Sequence, residues 1–207
     1  MRRIRISDIS MGHYLKLFGR SAMFLASLAL YLTGRLAEEL IRDFTAARVF
    51  AMFIWAVFMI EMLMKYFPLG FESMGCQKQF AKNYIPAKNA DDVPEKDLRI
   101  YDRGALLILI FWILLNGIVA VLYFTHIIDR GILVLISLLY SVSDMICILF
   151  FCPFQTWFMK NKCCISCRIY TWDYILMFTP LLMIRNFFTC SLCITALGLM
   201  LRWEYIY

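Results

Sequence analysis

The chain has 207 residues, 62% of them hydrophobic and only 17% charged, with a formal net charge of +6 and a mean hydropathy of +0.71. A soluble domain carries about 45–50% apolar and about 25% charged residues, and a chain this short cannot enclose the excess in one aqueous core. The composition therefore excludes an ordinary soluble enzyme and reads as an all-α integral membrane protein, its positive charge reporting topology and attraction to anionic lipids, with no nucleic-acid partner.

A helix that crosses a bilayer needs about 20 mostly apolar residues. The first candidate, 15–34, is the weakest: Ser21–Thr33 is free of charge but short, and reaches spanning length only if Lys16 and Arg20 snorkel to the headgroups. No small-residue cleavage pattern follows Leu32, so the segment reads as a retained signal anchor. The second candidate, 46–67, is interrupted by Glu61 and Lys65, which lie four residues apart and can pair along one helix face. Residues 68–103 form a loop of mixed charge, broken by Pro86 and Pro94 and too short for an independent domain. Two strongly apolar runs follow, 104–128 and 131–152. A polar loop, 153–173, precedes the fifth, 174–201. The expected architecture is a polytopic bundle of about five transmembrane helices, or four if the first run does not cross.

Lys and Arg accumulate on the cytoplasmic side of membrane proteins. Here Arg2, Arg3, Arg5, Lys16 and Arg20 flank the first run. Lys65, Lys78, Lys82, Lys88, Lys96, Arg99 and Arg103 cluster between the second and third, and Lys160, Lys162 and Arg168 between the fourth and fifth. Only Arg35, Arg42, Arg48, Arg130 and Arg202 fall on the other side. This bias places the N-terminus in the cytoplasm and, with five spans, the C-terminus outside, in the plasma or inner membrane of the cell.

Cys152, Cys163, Cys164 and Cys167 gather in or beside the 153–173 loop. On the reducing side stable disulfides are disfavoured and metal binding gains weight. Cys164 and Cys167 have the spacing of half a tetrathiolate zinc site, Cys152 is held near them by Pro153, and Cys163 is the least suited ligand because it adjoins Cys164. Zinc is the first candidate and an iron–sulfur centre the second. Redox-active thiols, lipidation at Cys163 and Cys164, and simple interfacial packing are the alternatives. Cys190 and Cys193 lie deep in the fifth run, where small residues suit helix packing.

Ionisable residues inside a span are costly and tend to face the bundle interior in pairs. Asp144 and Arg185 fall at similar depth in consecutive antiparallel runs, which predicts either a structural ion pair or a polar pocket open to the cytoplasm. Glu61, Asn116 and Asn186 are the other polar groups assigned to that interior. Ser137, Ser141 and Asp144 share one face at helical spacing. His13 and His126 fall near opposite membrane faces. No nucleophile–base pair or phosphate-binding glycine loop is visible, so whether the chain is an enzyme is open. The leading expectation is a small non-enzymatic transport or accessory subunit, acting as a homo-oligomer or in a membrane complex. The alternative is a membrane enzyme or redox protein acting on a lipid or quinone-like substrate.

Overall fold

A computed structural model of the chain describes residues 8–33, 46–67, 95–159 and 172–206. Among the described residues every regular element is helical. The helices are α1 (Asp8–Leu32), α2 (Ala46–Tyr66), α3 (Glu95–Phe124) and α4 (Arg130–Leu149), then the short α5 (Asp173–Phe178) and α6 (Phe187–Ile206). A π-helical turn covers Phe154–Met159, and a 3-10 turn, Thr179–Met183, continues α5. The first four helices are each long and apolar enough to cross a membrane. Their outer faces carry large apolar side chains in the open, such as Phe18, Leu114 and Phe124, as a lipid-facing surface requires.

The start of α4 is fixed locally. The Asp129 side chain accepts from the backbone N–H of Ile132 at 2.9 Å, an N-cap that satisfies one of the helix's orphan donors. Helix α1 lies antiparallel to α4: Tyr31 bonds Asp129 at one end, Arg20 reaches Ser141 and Asp144, and Tyr14 packs on Phe150 at the other end. Gly131 permits the close approach, since a Cβ there would stand 2.7 Å from the Tyr31 ring.

The expected fifth span is the part that the structure corrects. Residues 174–201 are not one helix. Pro180 has no N–H to continue the α ladder, and the chain tightens into the 3-10 turn from Thr179. It then breaks at Ile184–Asn186, where Ile184 is extended (φ −97°, ψ 110°). Thr189 Oγ1 donates to the carbonyl of Ile184 at 2.6 Å, and the Cys190 N–H bonds the carbonyl of Asn186 at 2.9 Å, which starts α6. Helix α6 then returns alongside α5. The Cys193 thiol meets the Phe178 carbonyl, and Trp172 reaches Glu204 at the base. The result is a helical hairpin whose apex is Ile184–Asn186. Its ascending arm, Asp173–Met183, rises roughly 19 Å, and α6 descends about 30 Å. The last turn of α6 therefore lies beside the start of α5, so an opposite-side C-terminus does not follow.

The hairpin is inserted into the middle of the bundle. The main core joins Met23 of α1, Phe58 and Met62 of α2, Leu138 of α4, and Tyr174, Met177, Phe178, Leu181, Leu192 and Leu199 of the hairpin. Ser137 Oγ donates to the Met177 carbonyl at 2.9 Å, and Trp55 Nε1 to Ser191 Oγ at 2.8 Å, pinning the two arms to α4 and α2. Helix α3 is more peripheral. Ala105 and Ile108 pack against Phe154, Phe158 and Trp172.

Candidate functional site

Four elements bring charge to one place at the base of the hairpin. Arg20 of α1 is the hub. Its Nη2 lies 2.8 Å from Glu61 Oε2 of α2, and its Nη1 lies 3.0 Å from Asp144 Oδ2 of α4 and 3.1 Å from the Ser141 carbonyl. The guanidinium plane stands 5.6 Å from the Phe58 ring centre. Tyr174 donates its hydroxyl to the same Glu61 oxygen at 3.2 Å. One turn further along α2, Lys65 Nζ meets Asp173 Oδ2 at 2.6 Å and lies over the Tyr174 ring at 5.1 Å. The Arg20 side chain is 4% exposed, Glu61 15% and Asp144 21%, so the network is largely withdrawn from any aqueous phase. A planar guanidinium with several donors can hold two carboxylates and a carbonyl at once, which an ammonium does less well.

This arrangement redistributes the expected partners. Asp144 pairs with Arg20, whereas Arg185 lies at the opposite end of the bundle. The reason is the hairpin. Its ascending arm starts with Asp173 already at the depth of Asp144, so the roughly 19 Å rise of that arm carries Arg185 to the apex, beside His126, Asp129 and Arg130. Glu61 likewise bonds across the bundle to Arg20 and Tyr174, while its helical neighbour Lys65 turns to Asp173. Arg20 does not snorkel to a headgroup; it is buried at the bundle centre. Sequence reasoning missed Arg20, Lys65, Asp173 and Tyr174 as members of one network. The available signal was the position of Arg20, 12 residues or about 18 Å inside a 25-residue helix, too deep to reach out from.

The remaining polar candidates take local roles. Asn116 is buried, donates to the Trp112 carbonyl at 3.0 Å, and its Oδ1 has no partner among the described residues. Asn186 forms the hairpin apex. His13 and His126 lie at opposite ends of the bundle. Cys193 is buried against Phe178, and Cys190 is exposed.

A cavity of about 300 Å³ adjoins the network between α3, α4, the turn after α4 and α5. Its walls are aromatic and aliphatic: Phe111, Trp112 and Leu115 of α3, Tyr140 and Ile148 of α4, Phe154 of the turn, and Leu176 and Met177 of the hairpin. Trp112 and Tyr140 stand 4.7 Å apart between ring centres, and Trp112 and Phe154 6.2 Å. Among the described residues, Asp144 and Asp173 are the charged groups lining this space. The second oxygen of Asp173, Oδ1, is buried and has no hydrogen-bond partner among the described residues. No family model, curated protein or solved structure matches the chain. The site must therefore be read from its own chemistry.

Cys147 and Cys152 also line this cavity, Cys152 beside Pro153. Cys163, Cys164 and Cys167 lie outside the described residues, so the expected four-cysteine centre has one member placed. Among the described residues no group of three or more His, Cys, Asp and Glu side chains is positioned to hold a metal. A second cavity of about 160 Å³, between α1, α2, α4 and the hairpin, is lined by Trp55, Phe58, Leu138, Phe178 and Leu192, and its polar lining is uncharged.

Proposed function

We propose that the chain is a small polytopic membrane protein, a non-enzymatic transport or accessory subunit, that binds an organic cation with an apolar body in the cavity beside Asp144 and Asp173. The observation that carries this reading is the pairing of two carboxylates with aromatic walls in one half-open cavity. Among the described residues of the buried network, Glu61, Asp144 and Asp173 face the cations Arg20 and Lys65, three carboxylates to two cations. Lys16, one turn from Arg20 on α1, is exposed and adds positive charge toward Glu61 from outside the network. An uncompensated charge inside a membrane is expensive, and a bound ammonium relieves it. Aromatic faces attract the same ammonium, and the apolar walls take its hydrocarbon part.

The orientation belongs to this proposal. The end of the bundle that holds Lys65, Arg103 and the 153–173 loop is the cytoplasmic one, by the Lys and Arg bias. The four long helices cross, the hairpin enters from that side and returns to it, and both chain ends face the cytoplasm. Moving Arg202 inward and Arg185 outward keeps the charge bias intact. The cavity then opens near Cys152–Phe154, toward the cytoplasm.

The test compares three probes of one shape: phenylbutylamine, phenylbutanol and phenylbutyrate, titrated against the full chain in lipid nanodiscs while thermal unfolding is followed. The amine alone should stabilise the protein, and Asp144→Asn should remove most of that response. Equal responses to all three probes would refute a cation site, as would an amine response that survives Asp144→Asn with Asp173→Asn.

A further inference from the structure

At the other end of the bundle, remote from the acidic cavity and independent of it, lies an open cleft of about 670 Å³. It is bounded by the α3–α4 loop and by the hairpin apex. Arg130, at the first position of α4, and Arg185, at the apex, both line it, and both are exposed. His126 lines it as well, held at φ 59° in a loop where Ile127 and Ile128 both donate to the Leu122 carbonyl.

Among the described residues the charge in this cleft is unbalanced. Its acidic member, Asp129, is already committed: Oδ1 caps Ile132, and Oδ2 accepts from the Tyr31 hydroxyl at 3.3 Å. Among the described residues neither Arg130 nor Arg185 has an ion-pair partner. The α4 N-terminus adds partial positive charge from its unpaired N–H groups, in the same direction as the two guanidiniums. Two arginines in one cleft repel each other unless an anion lies between them, and the guanidinium fork matches a phosphate in a bidentate fashion. The neighbouring surface is apolar: Phe124 is 70% exposed and Leu182 60%.

We propose that this cleft binds a phosphate-bearing anion between Arg130 and Arg185, tying the hairpin apex to the start of α4. The shared chemistry is a phosphate group, supplied either by a lipid headgroup or by free phosphate. The apolar rim fits an acyl chain in the first case. The anion neutralises two cations on elements far apart in sequence, so its loss should loosen the hairpin apex.

The experiment uses the full chain in the phosphate-free detergent dodecylmaltoside, with inorganic phosphate titrated in one arm and phosphatidylglycerol added in the other. Thermal unfolding and native mass spectrometry are the readouts. The wild type should gain stability in at least one arm. Stabilisation by inorganic phosphate assigns a soluble anion; a phosphatidylglycerol retained on the chain, with no response to phosphate, assigns a lipid. Arg130→Gln and Arg185→Gln should each weaken the effect about tenfold or more. Arg185→Lys should keep part of it, and Arg103→Gln, at the opposite end, should leave it unchanged. Absence of a response in both arms would overturn the proposal, as would equal losses from Arg103→Gln and Arg185→Gln.

Discussion

Arg20→Gln is the sharpest perturbation of the bundle, because one side chain joins α1 to both α2 and α4. Removing it strands Glu61 and Asp144, whose oxygens converge on the guanidinium at 2.8 and 3.0 Å. Breaking a buried pair by deleting one partner costs roughly 3–5 kcal/mol. At about 2–4 °C per kcal/mol for a chain of this size, that corresponds to a fall in Tm of about 6–20 °C. The loss should depend on pH. Without the cation, the two carboxylates favour their protonated forms, and once neutral they no longer require a counter-charge. The gap between variant and wild type should therefore be widest near pH 8 and should narrow as pH falls toward 5. Adding Glu61→Gln and Asp144→Asn to Arg20→Gln should recover much of the stability at pH 8. Thermal unfolding of the nanodisc-embedded protein, followed by tryptophan fluorescence, measures all of these. A Tm change under about 2 °C, no larger than that of Arg103→Gln at the α3 end, would refute the idea that Arg20 holds the bundle together. So would a triple variant no better than Arg20→Gln alone.

Other outcomes follow from the same coordinates. Exchanging Lys65 and Asp173 (Lys65→Asp with Asp173→Lys) should restore much of the stability that either single change removes, since the pair meets at 2.6 Å; purely additive losses in a double-mutant cycle would argue that they do not pair. Ser137→Ala should cost about 1 kcal/mol through the lost bond to the Met177 carbonyl, read by the same unfolding assay. Epitope tags placed at the two chain ends should both be protected in sealed, right-side-out cells and both reached after permeabilisation; a C-terminal tag reached from outside would mean that the hairpin reading fails. For the thiols, Cys164→Ser and Cys167→Ser should each release any zinc that copurifies, whereas Cys163→Ser should retain it, measured by elemental analysis of protein purified anaerobically.

The four long helices were legible because apolar runs of spanning length leave a bilayer protein few alternatives. Their ends were legible unevenly: α2 and α4 keep close to the expected 46–67 and 131–152, whereas α1 begins at Asp8 and α3 at Glu95, well before the expected 15 and 104. The hairpin was not. The run from 174 to 201 is apolar throughout, and a hydropathy argument registers length and polarity but not the loss of a backbone donor at Pro180 followed by an extended Ile184. The composition of Arg185-Asn186 at the apex was the faint signal: a charge and a helix-start residue together, in the middle of a supposed span. The buried network was half legible. Asp144 and Glu61 stood out as intramembrane carboxylates, but partner choice depends on which helices adjoin. Sequence neighbours, Lys65 for Glu61 and the next run for Asp144, were the natural guesses. The structure instead uses α1, the run judged weakest because of the very arginine that anchors it. The cavity was not legible at all, since its walls come from elements far apart along the chain.

The cavity beside Asp144 and Asp173 is proposed to hold an organic cation. A photoreactive aryl amine, irradiated with the nanodisc-embedded protein and mapped by peptide mass spectrometry, tests it most directly. Cross-links are expected at Phe111, Trp112, Tyr140 or Phe154, suppressed by excess phenylbutylamine and greatly reduced by Asp144→Asn. Cross-links confined to the uncharged cavity around Trp55 and Phe178, or cross-links at Trp112 that the competing amine leaves untouched, would contradict it.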